Sequence, residues 1–256
     1  MVWNPQQYLK FSGHLLRPAV DLLMRIPDFP VRSVADLGAG AGNVTRLISE
    51  RWPEAAVVAI EGSAEMVGAG KKAAPNIEWM HQDLSSWQPA RKFDVIYSNA
   101  ALHWLPGHDR LFPLLMQSVE RGGILAVQMP RNFEAPSHLL IAETALNGPW
   151  RSQLERLVTP PPVSEPGFYH GLLAPLSANI DIWETEYLQV LEGENPVKEW
   201  TKGTWLTRYL DVLSDKDKAA FEAAYGERVI KAYPPNSQGQ TLFPFRRLFI
   251  VAQRKM

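Results

Sequence analysis

The chain has 256 residues and a formal net charge of −1, from 26 Lys+Arg against 27 Asp+Glu. This balance argues against a general nucleic-acid binder, and the 46% of hydrophobic residues provides for a packed core rather than overall disorder. Cysteine is absent, which excludes a disulfide framework and a thiolate metal site, and we predict no metal centre.

The first half of the chain alternates short apolar segments with longer amphipathic ones. The sequence predicts a helix over 17–26, strands near 33–37, 56–60, 77–81, 93–98 and 124–128, and helices over 44–51, 64–72 and 111–119. Strands that alternate with helices at this spacing indicate βαβ units. Right-handed crossovers join such units into a doubly wound, mostly parallel α/β sheet.

The second half breaks this rhythm after residue 130. Frequent prolines over 131–180 predict short helices and ordered loops, followed by a strand at 181–191, a mainly helical stretch over 196–233 and a final strand at 248–253. We expect a single domain. Its core would span roughly 30–130 and the two late strands, with a helical cap from 1–29, 131–180 and 195–235.

The strongest signal for function is a glycine-rich segment, VADLGAGAGN, in which a buried strand ends at Asp36. Glycine lets a backbone approach a ligand closely, and open α/β sheets bind ligands beyond the carboxyl ends of their strands. The spacing G-x-G-x-G differs from the G-x-G-x-x-G fingerprint of pyrophosphate sites. The Asp36 carboxylate would repel a pyrophosphate, but it suits the ammonium group of S-adenosylmethionine, directly or through water.

Two further acidic residues follow neighbouring predicted strands. Glu61 ends the second strand and can accept hydrogen bonds from both ribose hydroxyls of the cofactor. Asp83 follows the third strand and can accept from the adenine amine, while Gln82 or Leu84 lines the ring. Met66 is either a packing partner of the adenine or an ordinary core residue.

The loop after the fourth strand, SNAALHWL, should flank the methyl donor. Small Ala100 and Ala101 leave room for the sulfonium group, and Trp104 can wall the pocket. His103 is a candidate general base, although a lone histidine beside a tryptophan is more often a packed residue.

In chain order, the segments VADLGAGAGN, AIEGS, QDL and FDVIYSNAALHWL resemble the class I S-adenosylmethionine-dependent methyltransferase family over roughly residues 30–130. The resemblance implies a Rossmann-like fold and S-adenosylmethionine as the cofactor. The expected cofactor-binding residues are Asp36, Gly38, Ala39, Gly40, Asn43, Glu61, Gly62, Met66, Gln82, Asp83, Leu84, Asn99, Ala100, Ala101 and Trp104. His103 and Trp104 are positioning candidates.

Other segments extend the similarity nearly end to end: WNPQQYLKFSGHLLRPAVDLL, ALHWLPGHDRLFPLL, GGILAVQMPRN, DIWETEY and FRRLFIVAQR. They resemble family members that methylate trans-aconitate, which implies a methyl ester on a small polycarboxylate. A carboxylate is already ionised at neutral pH and needs no base, and arginine binds carboxylates in a bidentate geometry. Candidate substrate-binding residues are Tyr8, His14, Arg17, Arg131, Asn132, Tyr169, Arg246 and Arg247. The proline-rich 145–170 region departs from the family.

Three alternatives stay open: a methyltransferase for an amine or phenol, an NAD-dependent oxidoreductase, which the glycine spacing disfavours, and a non-catalytic S-adenosylmethionine binder. The N-terminal segment lacks a signal peptide's apolar core, and no apolar run is long enough to cross a membrane. We therefore expect a cytoplasmic enzyme with no nucleic-acid, membrane or obligatory protein partner.

Overall fold

The computed structural model describes residues 16–256, so the predicted substrate residues Tyr8 and His14 lie outside the described part. The strands are β1 (Ser33–Leu37), β2 (Ala56–Glu61), β3 (Glu78–His81), β4 (Phe93–Asn99), β5 (Val119–Pro130), β6 (Ser177–Leu191) and β7 (Thr241–Arg254). The α-helices are α1 (Arg17–Arg25), α2 (Asn43–Arg51), α3 (Ala64–Ala73), α4 (His108–Ser118), α5 (Pro136–Asn147), α6 (Arg151–Leu154), α7 (Pro166–Leu173), α8 (Pro196–Lys202), α9 (Thr207–Leu210) and α10 (Asp215–Ala232).

The elements predicted for the first half of the chain are confirmed, and every boundary except the start of β5 lies within three residues of its predicted position. Within this half the largest difference is β5, which begins at Val119 instead of near residue 124. Val119 pairs with Phe93, and a register shift in the β4–β5 ladder separates this pair from the next one. The additional pair extends β5 back from residue 124 to Val119. In the second half, β7 begins at Thr241 instead of residue 248, and β6 begins at Ser177 instead of residue 181. The helical stretch predicted over 196–233 divides into α8, α9 and α10.

Seven strands form one sheet in the order β3-β2-β1-β4-β5-β7-β6. β1 pairs in parallel with β2 and β4, β2 with β3, and β4 with β5, whereas β5 and β7 are antiparallel. The predicted doubly wound, mostly parallel sheet is confirmed. The strand order reverses between β1 and β4, and open sheets bind ligands at this switch point.

Contacts group the chain into two compact units, and the predicted single domain stays a prediction. The first unit comprises the described residues up to Pro130, then Val163–Thr185 and Arg247–Met256. In it, β1, β4 and residues 123–129 of β5 are buried almost throughout, as expected for strands covered on both faces. The Tyr97 hydroxyl donates to the Ala19 carbonyl at 2.8 Å and anchors α1 on one face.

The second unit comprises Arg131–Pro162 and Glu186–Arg246. Its core is rich in aromatic side chains, with Phe221, Tyr225 and Phe243 completely buried. The Tyr225 hydroxyl donates to the Ser137 carbonyl at 2.8 Å and joins α10 to α5. Across residues 16–256, no helix combines the length and apolar character needed to cross a bilayer.

Candidate active site

The glycine-rich loop joins β1 to α2 at the carboxyl edge of the parallel strands. The Gly38 and Ala39 amides donate to the Ile60 carbonyl at 2.9 and 3.1 Å, which ties the loop to the end of β2. A Cβ atom at Gly38 would lie 2.2 Å from the Cβ of Ala101. The loops after β1 and β4 are therefore in direct contact, and no side chain fits at position 38.

Gly40 forms the open part of this loop. Its φ is 56°, and the atom nearest to a Cβ placed there is Met66 Sδ, at 4.0 Å. Met66 is 47% exposed on α3 and is not a core residue. Asn43 is exposed at the start of α2. A ligand can therefore reach the backbone at Gly40 closely.

Asp36 is a buried carboxyl at the end of β1. It is 2% exposed and accepts a hydrogen bond from Thr45 Oγ1 at 2.6 Å. Burial raises its pKa to about 7, with a smaller contribution from Glu61, while the Thr45 hydrogen bond acts in the opposite direction. Because a nearby cation favours an ionised carboxyl, the site is suited to a ligand that carries an ammonium group.

Glu61 connects the end of β2 to the glycine loop. Its Oε2 accepts from the Gly40 amide at 2.9 Å, and its Oε1 accepts from the Ser63 amide at 2.9 Å. Each carboxylate oxygen has a second lone pair, so both can still accept hydrogen bonds from a ligand hydroxyl. The side chain holds the loop and stays half-buried at its rim.

The residues after β2 and β3 lie beside this loop. The backbone amide of Gln82 donates to the backbone carbonyl of Glu61 at 3.0 Å. The side-chain Nε2 of His81 lies 3.0 Å from the backbone carbonyl of Gly62. Asp83 Oδ1 accepts from the Ser85 amide at 2.8 Å, and this bonding lowers the pKa of the exposed Asp83 carboxyl. Leu84 Cδ1 lies 3.7 Å from a Cβ built at Gly38. The expected donor-binding loops thus meet at one edge.

The loop after β4 begins with an unusual backbone conformation. Ala100 has a φ of 53°, and no other non-glycine residue in the described range has a positive φ. Its amide donates to the Gln128 carbonyl at 2.9 Å, which holds the strained residue in place. Asn99, just before it, is half-buried at the end of β4.

His103 and Trp104 follow in a short 3₁₀-helix, Leu102–Trp104. Their ring centroids are 4.6 Å apart, and Trp104 is 54% exposed. His103 is 7% exposed, and burial lowers its pKa to about 3, with further lowering by Arg247 and His108. His103 is therefore neutral at physiological pH and a weak base.

Among the predicted substrate arginines, Arg247 is the one that lies in the first unit and is buried. It is 5% exposed on β7 and donates from Nη1 to Gln128 Oε1 at 3.2 Å. The electrostatic influence of its guanidinium reaches His103. A cationic group thus lies beside the loop after β4.

The other predicted arginines are in different surroundings. Arg17 has a side chain that is 65% exposed and lies 3.9 Å from Asp21. Arg131, Asn132 and Arg246 belong to the second unit. Arg131 is half-buried and Asn132 is 4% exposed. Arg246 has a side chain that is 49% exposed, 3.9 Å from a glutamate on β6.

Tyr169, one of the predicted substrate residues, is a packing residue on α7. It is fully buried beside Phe112 of α4. His108 Nε2 must donate to the Leu102 carbonyl, 3.0 Å away, so its Nδ1 accepts from the Tyr169 hydroxyl at 2.7 Å. The same hydroxyl accepts from the Ser164 amide at 3.2 Å.

Sequence reasoning missed three residues that shape the site. Thr45 is in the first turn of α2, where a side chain can reach back to Asp36. Trp79 lies under the loop, with its ring 2.7 Å from a Cβ built at Gly42. Gln128 is a lone amide in the apolar run ILAVQMP, and that interruption was the available signal.

Comparisons with known proteins agree with this geometry. Residues 34–123 match the family model described as "Methyltransferase domain". A trans-aconitate 2-methyltransferase of Azoarcus sp. is 45% identical over 252 residues, covering 98% of this chain and 99% of the relative. A trans-aconitate 2-methyltransferase of Streptomyces avermitilis is 42% identical over 262 residues, covering 99% and 97%.

Solved structures share the fold. An S-adenosylmethionine dependent methyltransferase from Mesorhizobium loti superposes with a TM-score of 0.52 at 20% identity, covering 94% of this chain and 99% of that one. The Haemonchus contortus phosphoethanolamine N-methyltransferase 2 has a TM-score of 0.55 at 12% identity, covering 94% of this chain and 53% of that one. On the strength of the end-to-end sequence similarity, the chain is a methyltransferase that belongs to the trans-aconitate 2-methyltransferase family.

Proposed function

We propose that the protein transfers a methyl group from S-adenosylmethionine to a carboxylate of trans-aconitate, giving a monomethyl ester and S-adenosylhomocysteine. The observation that carries this proposal is the distribution of charge along one sheet edge. The Asp36 and Glu61 carboxyls lie by the open glycine loop after β1 and β2. The buried guanidinium of Arg247 lies beside the ends of β4 and β5.

The acidic residues suit the methyl donor. The ammonium of its methionyl group would favour the ionised form of Asp36, and the free lone pairs of Glu61 can accept from ribose hydroxyls. Asp83, Gln82, Leu84 and Met66 surround the expected adenine position. When bound, S-adenosylmethionine supplies a methyl group activated by a sulfonium centre.

The basic residue suits the acceptor. A carboxylate has a reference pKa near 4, so its oxygen is nucleophilic at neutral pH without proton removal. The enzyme then has to hold that oxygen in line with the methyl group, which contributes up to about 7–11 kcal/mol. The neutral state of the buried His103 agrees with a reaction that requires no general base.

The low pKa of His103 also argues against the main alternative, a methyltransferase for an amine or phenol. An amine or phenol acceptor must lose a proton, and efficient bases have pKa values near the working pH. His103, with a pKa of about 3, is too weak for that task. A non-catalytic cofactor binder is distinguished by the assay below.

The test is a transfer assay with methyl-labelled donor over di- and tricarboxylic acids, including trans-aconitate. We expect label in trans-aconitate, released as methanol by alkali because methyl esters are hydrolysed. Label that resists alkali would contradict carboxylate methylation while leaving methyl transfer intact. No transfer to any acid, with S-adenosylhomocysteine binding intact, would contradict the proposed activity.

A further inference from the structure

Three polar side chains lie on one face of the sheet at the carboxyl ends of β4 and β5. Asn99 pairs with Gln128 in the parallel ladder, and Pro130 pairs with Arg247 in the antiparallel ladder. Side chains alternate along a strand and paired residues share a face, so Asn99, Gln128 and Arg247 project from the same face. Gln128 is 0% exposed and Arg247 is 5% exposed.

The contact with Arg247 fixes the orientation of the Gln128 amide. Arg247 Nη1 lies 3.2 Å from Gln128 Oε1. A guanidinium only donates hydrogen bonds, so the amide atom that faces it must be the oxygen. The amide nitrogen Nε2 is then directed elsewhere. Nε2 is buried, and among residues 16–256 it has no hydrogen-bond partner. A buried donor left in this state is costly, which is expected where a ligand supplies the acceptor.

We propose that Gln128 Nε2 and the Arg247 guanidinium together bind one carboxylate of the acceptor, which makes Gln128 a specificity-determining residue for methyl transfer. This inference rests on the proposed function and names the residues that select an anionic substrate. Both groups offer only N–H donors, which match the lone pairs of a carboxylate and exclude an ammonium group. Dissolved salt screens the interaction of such a buried charge with a ligand only weakly.

The end of the neighbouring strand has the opposite polarity. Asn99 Oδ1 is also buried and has no partner within the described chain, and a carbonyl oxygen can only accept. Adjacent strands are about 4.8 Å apart, so this acceptor atom lies beside Gln128, with which Asn99 is paired. The acceptor atom matches the ammonium of the methyl donor, and the donor pair of Gln128 and Arg247 matches the carboxylate. The methyl donor and the carboxylate acceptor would therefore bind to different groups, the first to a hydrogen-bond acceptor and the second to hydrogen-bond donors.

The test compares Gln128→Met and Gln128→Glu with the same two substitutions at Gln253. Gln253 lies on the same pair of strands at their other end, where its Nε2 donates to the Gly122 carbonyl at 3.0 Å. Methionine removes the amide at similar volume. Glutamate keeps an acceptor for Arg247 but replaces the donor by a negative charge. Calorimetry measures trans-aconitate and tricarballylate binding to protein saturated with S-adenosylhomocysteine, where no turnover occurs.

We expect Gln128→Met to weaken binding of both acids by about 10- to 100-fold, the usual range for a hydrogen bond to a charged group. Gln128→Glu should weaken it further, because it repels the anion. S-adenosylhomocysteine affinity should change less than about twofold in every variant, and the Gln253 variants should match the wild type throughout. In kinetics, the KM for trans-aconitate should rise and that for S-adenosylmethionine should not.

Unchanged acid binding in the Gln128 variants would overturn the inference, and so would an equal loss of S-adenosylhomocysteine affinity. If Gln128→Met does not fold, Gln128→Glu decides alone, since it retains the contact with Arg247. Wild-type protein that binds the acids without methylating them would refute the proposed function only, and the variants would still test this site. Wild-type protein that binds neither acid would refute both.

Discussion

The buried carboxyl of Asp36 should make the ligand-free protein less stable as the pH rises. Folding raises its pKa from the ordinary value of 3.8 to about 7, so the folded state holds the proton more tightly than the unfolded chain. The stabilising contribution of this proton is complete below pH 3.8. It declines as the pH rises from 3.8, and it is lost once the pH has risen through 7.

The magnitude follows from the size of the shift. Each pKa unit corresponds to about 1.4 kcal/mol, so ionised Asp36 costs about 4 kcal/mol of folding free energy at pH 8. Part of this loss has already occurred at pH 5, which leaves about 3 kcal/mol between pH 5 and pH 8. Asp36→Asn retains the shape and an oxygen for the Thr45 hydroxyl, and it removes the titration.

The assay is urea unfolding of the ligand-free wild type and Asp36→Asn at pH 5 and pH 8. We expect the variant to gain about 3 kcal/mol relative to the wild type when the pH is raised over this interval. Thr45→Val should steepen the pH dependence of the otherwise wild-type protein, because the Thr45 hydrogen bond lowers the pKa of Asp36. An Asp36→Asn variant with the same pH dependence as the wild type would refute the reasoning.

Four further outcomes concern ligand binding and turnover. S-adenosylhomocysteine binding should release protons near pH 7 in the wild type and not in Asp36→Asn, as measured by calorimetry in buffers of different ionisation enthalpy. Glu61→Ala should weaken that binding by about 1–3 kcal/mol, and an unchanged Kd with intact fold would remove Glu61 from the site. Gly40→Val should bind more weakly still, because φ is 56° there and the side chain would occupy the ligand's space; retained affinity would argue against close backbone approach. His103→Asn should lower kcat only moderately, and the wild-type kcat, measured at S-adenosylmethionine concentrations that saturate the enzyme at every pH, should stay flat from pH 6 to 8 because the pKa of His103 is about 3; a kcat that climbs across this range would reveal a base.

The fold was predictable because its signal is local. Buried parallel strands are continuous apolar runs in the sequence. In the surface helices between them, apolar residues recur every three to four positions. The early start of β5 was not predictable from the sequence. Its first residues include charged and glycine positions, and its pairing at Val119 depends on β4, which is distant in sequence. Local patterns do not encode such ladder irregularities.

The candidate site likewise contains residues that a local motif predicts and residues that only long-range strand pairing brings together. Asp36 and Glu61 lie in short motifs at strand ends, so their positions follow from the linear pattern. Gln128 meets Arg247 across a separation of 119 positions, and only the register of β5 with β7 brings them together. Tyr169 was chosen by residue type alone, and its hydroxyl is used in helix packing.

Redesign of acceptor specificity in this enzyme is restricted by the contact between Gly38 and Ala101. The Cβ of Ala101 occupies the space that a side chain at Gly38 would need. A library that enlarges residue 101 would therefore displace the glycine loop, where we propose that the methyl donor binds. Diversity introduced on β5 and β7 leaves that contact unchanged, and these strands are the more promising targets for directed evolution toward other carboxylic acids.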